Sequence, residues 1–267
     1  MKRKILHKMN NLKLREKVLI CFLLCVLIPM ITTNGIIIWS AKRSMDKEQE
    51  QRLENIVDRL KFEIYSQVNE QLSIADYLNR NVSLQEFLQR EYQSPADYYE
   101  AYVGLMENQV IQYYYTAQSA YSIVICTGNE TITNGTYFVK RKDTENSSWY
   151  RAFQNSGRNI YLYSYYEDGT ESGGYIGKGR RIVLLQELSH CIEGDIIMLE
   201  LEYQSMLDSM AMICDEADGY ICLGNRILWS TKEKNVSGKD FLNISEYEAK
   251  GCSVQKTIEL YGQDLTI

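Results

Sequence analysis

From Val18 to Ala41 the chain runs for 24 residues without a charge, rich in Leu, Ile, Val and Phe. A helix rises about 1.5 Å per residue, so about 20 apolar residues cross the hydrocarbon core of a bilayer. The segment therefore removes an ordinary soluble enzyme from consideration. It also divides the chain into a short tail and a long C-terminal body. A cleaved signal peptide shares the basic start and the apolar run, but its apolar region usually spans about 7 to 15 residues and ends at small residues. Here the one candidate exit, Trp39-Ser40-Ala41, puts an indole where a small side chain is wanted. Ile20 and Leu24, which precede Cys21 and Cys25, do not fit a lipoprotein signal either. Pro29 is tolerated in a spanning helix.

Charge orients the segment. Residues 1–17 hold Lys2, Arg3, Lys4, Lys8, Lys13, Arg15 and Lys17 against Glu16 alone, a balance of +6, while the whole chain is at -6, which leaves -12 for everything after the tail. By the positive-inside rule the N-terminus is cytoplasmic and residues 42–267 are extracellular, attached to the cell membrane by one pass. An acidic exterior excludes nucleic acid as a partner, because phosphates demand a basic surface. The five cysteines beyond the apolar segment, Cys126, Cys191, Cys214, Cys222 and Cys252, are odd in number and far apart, with no CxxC pair. They read as small buried apolar residues, with one pair open to bridging in an oxidising exterior, and not as a disulfide framework or a zinc site. The six Asn-x-Ser/Thr sequons, at Asn81, Asn129, Asn134, Asn146, Asn235 and Asn243, matter only in a host that glycosylates exported proteins.

Past the anchor, Leu53, Ile56, Val57, Leu60, Ile64, Val68, Leu72, Ala75 and Leu78 recur at spacings of three and four. The pattern predicts one long amphipathic helix from about Ser44 to Arg80, whose apolar stripe is covered by its own domain, by the same helix of a second copy, or by both. A shorter helix is predicted over 84–90. Another opens at Ser94-Pro95-Ala96-Asp97, with a capping hydroxyl, a proline at the first position and an acid in the first turn, and ends near Tyr115.

The period then changes to that of strands. Strands are predicted over 121–127, 131–139, 159–166, 180–188 and 195–202, the second open to a break at the Asn134-Gly135 turn signal, with a helix over 147–155 closed by Gly157. The result is a five-stranded antiparallel sheet with a helix crossing after its second strand. A smaller helix-then-strands unit follows, with a helix over 203–210 and strands at 219–222, 227–230 and 254–260. Residues 264–267 read as the opening of a further strand, which suggests the N-terminal part of a longer protein. The expected fold class is thus α+β. Residues 1–17 form a basic cytoplasmic tail, 18–41 a transmembrane helix, 42–202 the long helix plus a membrane-distal unit, and 203–267 a truncated membrane-proximal unit.

Catalytic chemistry is not encoded in any recognisable pattern. Gly174, Gly177, Lys178 and Gly179 tempt a phosphate-loop reading, but Ser172 stands where that motif needs its first glycine and Gly179 where it needs Ser or Thr. His190 and Cys191 are adjacent at a strand end, where neighbours point to opposite faces. There is no HExxH, and no cofactor or metal is called for. What stands out instead is tyrosine, 21 in 267 residues. Its flat apolar face and its hydroxyl suit pockets for sugars, nucleobases or amines, and equally suit packing at strand and helix surfaces.

The layout of basic tail, spanning helix, long helix, helical pair, five-stranded sheet and smaller repeat resembles the double Cache, PAS-like sensor modules of bacterial receptors. Ser148-Trp149-Tyr150-Arg151-Ala152-Phe153 with Gly157 looks like the aromatic helix over a Cache ligand pocket. Leu12-Lys13-Leu14-Arg15-Glu16-Lys17 leading into Ile28-Pro29 resembles the start of LytS/YesM-type sensor histidine kinases of Gram-positive bacteria. The resemblance implies that the distal sheet binds a small molecule and that the long helix carries the shift towards a cytoplasmic output. That output is the histidine kinase of a two-component system, whose catalytic region and response regulator lie outside these residues. A methyl-accepting chemoreceptor shares every feature named, and an anchored extracellular binding or adhesion protein without output is a rival of another class. In the amino-acid-binding branch an arginine two residues before the Trp-Tyr pair grips the ligand carboxylate, and here that position is Ser147. Tyr165 and Asp195 fall near further contacts of that branch. Trp149, Tyr150, Tyr163, Tyr165 and Asp195 are therefore the expected ligand-binding residues, and a homodimer through the membrane-emergent helix is the expected assembly.

Overall fold

A computed structural model describes residues 13–108, 111, 122–168, 178–232, 241–244 and 253–267. The first twelve residues of the basic tail, the glycine-rich stretch at 169–177, Cys252 and the expected helix end at Tyr115 lie outside the described residues. The chain divides into two compact units, Met1–Leu53 and Glu54–Ile267.

The described part of the first unit is helical. α1 spans Leu14–Phe22, a π-helical stretch spans Leu23–Leu27, and α2 runs from Ile28 to Arg80. The wider π turn sits directly before Pro29, which has no amide to offer the carbonyl four residues upstream. The hydroxyls of Thr32 and Thr33 donate to the carbonyls of Ile28 and Pro29, so polar atoms in the apolar stretch are satisfied within the helix. Phe22, Leu24, Ile31, Ile37 and Trp39 are exposed, as side chains facing lipid would be. Among the described residues this is one helix long and apolar enough to cross a membrane.

In the second unit the expected apolar stripe is realised. Ile56, Val57, Leu60, Ile64, Val68, Leu72, Ala75 and Leu78 are all buried, so their own domain covers them. Of the two covers open to the stripe, its own domain supplies one for Ile56 to Leu60. Leu53 is half-buried. In the last turn of the helix Asn79 donates to the Ser189 hydroxyl at 3.1 Å and accepts from the Ser189 amide at 3.0 Å, and the Gln186 amide adds a bond to Asp76. α3 (Val82–Gln89) is capped by the Asn81 side chain. α4 (Pro95–Glu107) starts as predicted, with the Ser94 hydroxyl accepting from the Asp97 amide.

Five strands follow, β1 (Ser122–Thr127), β2 (Phe138–Lys140), β3 (Ile160–Glu167), β4 (Gly179–Glu187) and β5 (Ile196–Glu200), in the order β2-β1-β5-β4-β3. The sheet is antiparallel except for β2, which runs parallel to β1 with Phe138 opposite Ile125. The long strand expected over 131–139 is cut to three residues because Asn129 organises the preceding loop. Its buried amide donates to the carbonyls of Leu88 and Arg90 and accepts from Thr131, so that sequon is fully committed. Gly135 and Asn134 then fold back onto Phe138 and Lys140.

Two helices, α5 (Arg141–Thr144) and α6 (Ser148–Ser156), separate β2 from β3. After β5, α7 (Tyr203–Cys214) leads to a four-stranded antiparallel sheet made of β6 (Tyr220–Leu223), β7 (Arg226–Ser230), β8 (Thr257–Leu260) and β9 (Gln263–Thr266), in the order β7-β6-β9-β8. The segment read as the opening of a strand is therefore an interior strand, hydrogen-bonded on both sides. The fold is α+β, with a long apolar N-terminal helix and two sheet units.

Candidate functional site

The candidate site is built on one face of the five-stranded sheet. Strand residues alternate between faces, so Tyr161, Tyr163 and Tyr165 of β3 project together. Their rings stack in a ladder, each 6.1 Å from the next and inclined by 22° and 18°. The same face carries Val124 and Cys126 from β1, Val183 and Leu185 from β4, and Ile196 and Met198 from β5, and α6 lays Trp149 and Phe153 over it. Trp149 and Tyr150 meet edge to face at 5.8 Å and 76°, a favoured arrangement of ring quadrupoles.

α6 holds these aromatics in place through its ends. The Ser147 hydroxyl accepts from the Tyr150 amide at 3.4 Å and donates to the Thr144 carbonyl at 2.6 Å. Ser147 is thus a helix cap, the role for which a short hydroxyl is suited. Gly157 closes the other end in the left-handed region at φ 61°, where a side chain is penalised.

Four of the five expected residues therefore converge. Trp149 and Tyr165 are core, each 4% exposed, while Tyr150 and Tyr163 are half-buried and keep surface available to a ligand. Burial raises the Tyr150 hydroxyl pKa, so at neutral pH it is a neutral donor and acceptor.

Asp195, the fifth, sits just before β5 and has no exposed surface. Its carboxylate accepts from the Gly128 amide at 2.8 Å, the Thr127 hydroxyl at 3.0 Å and Arg141 Nη2 at 3.1 Å. Burial pushes its pKa up, and these three donors pull it part of the way back. Arg141 is held between Gly128 and Gly194, where an added Cβ would lie 2.9 to 3.2 Å from the guanidinium, and it also donates to the Glu193 carbonyl.

Sequence reasoning missed Arg141, and it missed the ion pair between Arg181 and Glu200. Arg181 of β4 stands opposite Tyr165, and Glu200 of β5 stands opposite Val183. Alternation puts both on the aromatic face, where their side chains are 11% and 7% exposed. Burial raises the Glu200 carboxyl pKa, and Arg181 opposes the shift. The signal was available, because Arg181 falls in the inward phase of the strand set by Val183 and Leu185. The face is accordingly an aromatic floor with a charged pair beside it and a second ion pair at Asp195. The Cys126 thiol within it is buried and raised to about 11, and it lies 3.1 Å from the Thr144 hydroxyl. Among the described residues no three His, Cys, Asp or Glu side chains are placed to share a metal. Surface depressions of about 620 and 390 Å³ lie apart from Trp149 and Tyr165, the first beside Asn55, Phe62 and Ile213, the second beside Arg158, Tyr161 and Gln263.

No protein-family model matches the chain, and no curated protein does. Among solved structures it is similar to the sensory domain of the Campylobacter jejuni chemoreceptor Tlp3 with isoleucine bound, at 12% identity and a TM-score of 0.48, covering 85% of this chain and 92% of that one. The ligand-binding domain of the same receptor in complex with 4-methylisoleucine is similar at 12% identity and a TM-score of 0.45, with 84% and 89% covered.

Proposed function

We propose that this chain is the anchor and extracellular sensor region of a bacterial membrane receptor, which binds a small molecule on the aromatic face of the five-stranded sheet and passes the signal to a cytoplasmic histidine kinase. The observation that carries the reading is the convergence of Trp149, Tyr150, Tyr163 and Tyr165 on one sheet face under a capped helix. The basic tail before the apolar helix supports the orientation, with residues 42–267 outside the cell. The start that resembles LytS/YesM-type kinases favours a kinase output over a chemotaxis output. Pairing of two copies along the membrane-emergent helix belongs to the same proposal. Because Ile56, Val57 and Leu60 are inside their own unit, that pairing falls on residues nearer the membrane, and single cysteines at positions 45 to 52 should crosslink between copies.

The test is a thermal-shift screen of the whole chain in detergent against neutral sugars, nucleosides, amines and amino acids. A compound that raises Tm should lose its effect in Tyr163→Ala. Trp149→Ala is the poorer variant, because truncating a buried aromatic costs about 3–5 kcal/mol on its own. A compound that stabilises the wild type and Tyr163→Ala equally refutes the site, and failure of protease added to intact cells to reach residues 42–267 refutes the topology.

A further inference from the structure

β3 is the edge strand of its sheet, and an edge presents backbone groups that need partners. They are met by side chains of the smaller sheet. Gln263, at the start of β9, behaves as one unit of a neighbouring strand: its Oε1 accepts from the Leu162 amide at 2.7 Å and its Nε2 donates to the Leu162 carbonyl at 2.8 Å, both bonds buried. Two residues on, Arg226 Nη1 donates to the Ser164 carbonyl at 2.5 Å. Leu162 and Ser164 alternate with Tyr161, Tyr163 and Tyr165, so the bonds grip the backbone of the tyrosine ladder from its outer edge.

The β8–β9 hairpin holds a second element at the same time. Its turn residues Tyr261 and Gly262 have φ of 50° and 76°, a pair of positive values of the kind that hairpin turns usually meet with Asn-Gly. A tyrosine is strained in that conformation by about 1–3 kcal/mol. Its position uses all of it: the hydroxyl donates to Asn69 Oδ1 at 2.7 Å, the carbonyl accepts from Arg158 Nη1 at 2.9 Å, and the Arg158 guanidinium passes so close to Gly262 that a Cβ there would be 2.7 Å away. Tyr65 donates to the Glu259 carbonyl at 2.8 Å, and Lys256 pairs with Asp58 at 2.8 Å. Asp58, Tyr65 and Asn69 are spaced by seven and four, one face of the helix. One hairpin thus joins the edge of the ligand-facing strand to one face of α2 over about three turns.

We propose that the β8–β9 hairpin is the strap that couples β3 to the 54–80 stretch of α2, so that a displacement of the tyrosine ladder is delivered to the helix through Gln263, Tyr261 and Glu259. The coupling rests on the reading of β3 as the ligand-facing strand, but its test needs no ligand, so the two fail separately. Amide hydrogen exchange is measured on the whole chain in lipid nanodiscs, for wild type, Gln263→Leu and Tyr65→Phe. Gln263→Leu keeps the volume and removes both bonds to Leu162. It should raise exchange about fivefold or more at Leu162–Ser164 and also across Tyr65–Leu72, while Leu84–Leu88 of α3 stay as in wild type. Tyr65→Phe, which removes one exposed hydroxyl and is the decisive variant if Gln263→Leu does not fold, should raise exchange in β3 as well, because coupling is reciprocal. Changes confined to β3 in the first variant and to the helix in the second overturn the proposal, as does a rise spread evenly over Leu84–Leu88.

Discussion

The Arg181–Glu200 pair on the aromatic face gives a sharp energetic test. Both side chains are close to fully buried, at 11% and 7% exposure, so each has lost most of its hydration and is paired with the other. Removing one partner of such a pair costs about 3–5 kcal/mol, whereas replacing both by apolar residues of similar size is neutral or stabilises by about 1–4 kcal/mol. For a unit the size of residues 54–267, each kcal/mol moves Tm by about 2–4 °C. Glu200→Met alone should therefore lower Tm by about 6–20 °C, and Arg181→Met alone by a similar amount. The double variant should melt at or above the wild-type temperature. Circular dichroism melts of the four proteins in detergent supply the cycle. If the double variant is destabilised by the sum of the two singles, the groups are not energetically coupled and the picture of a desolvated pair beside Tyr165 is wrong. Recovery of stability in the double variant would mean that the pair contributes little net energy to holding the fold together.

Three further outcomes follow from the same contacts. Burial raises the Glu200 and Asp195 pKa values, so the folded state takes up protons above the range in which the unfolded carboxyls do. The stability from their protonation is present in full below that range and is lost as pH rises through the raised folded values, and the double variant Arg181→Met/Glu200→Met should show a shallower fall in Tm over that rise. Gly157→Ala meets open space but sits at φ 61°, so it should cost about 1–2 kcal/mol through the backbone alone and leave the far-ultraviolet spectrum unchanged. In a Cys252→Ser background, Ellman's reagent at pH 8 should leave Cys126, Cys214 and Cys222 unreacted until denaturant is added, because all three are buried and raised to about 11. Cys191, half-exposed but raised to about 12, should react far more slowly than a free thiol, and rapid labelling of any of the four would contradict the packing.

The parts of the fold legible in the sequence are those governed by short-range rules. The α2 stripe shows in the spacing of its apolar residues, α4 in Ser94-Pro95, and the end of α6 in Gly157, because in each case the residues that decide are neighbours along the chain. The candidate aromatics were named from the resemblance to Cache modules, and the structure places Trp149, Tyr150, Tyr163 and Tyr165 on one face of the sheet. What could not be read is long-range. The parallel β1–β2 edge depends on how Asn129 ties a loop to α3, 39 to 41 residues upstream. The role of Asp195 depends on Arg141, which opens α5, 54 residues upstream, and whose guanidinium passes between Gly128 and Gly194. A residue type and a position allowed Asp195 to be named as a polar group near the aromatics, but only the fold distinguishes a carboxylate facing a ligand from one already answered by three donors. With three donors in place and no exposed surface, Asp195 would have to break bonds already made in order to hold a ligand, at a cost of about 1–3 kcal/mol for each group left unpaired. The half-buried hydroxyls of Tyr150 and Tyr163 face no such cost. Asp195, buried and answered by Gly128, Thr127 and Arg141, fixes the end of the sheet on which the tyrosines stand.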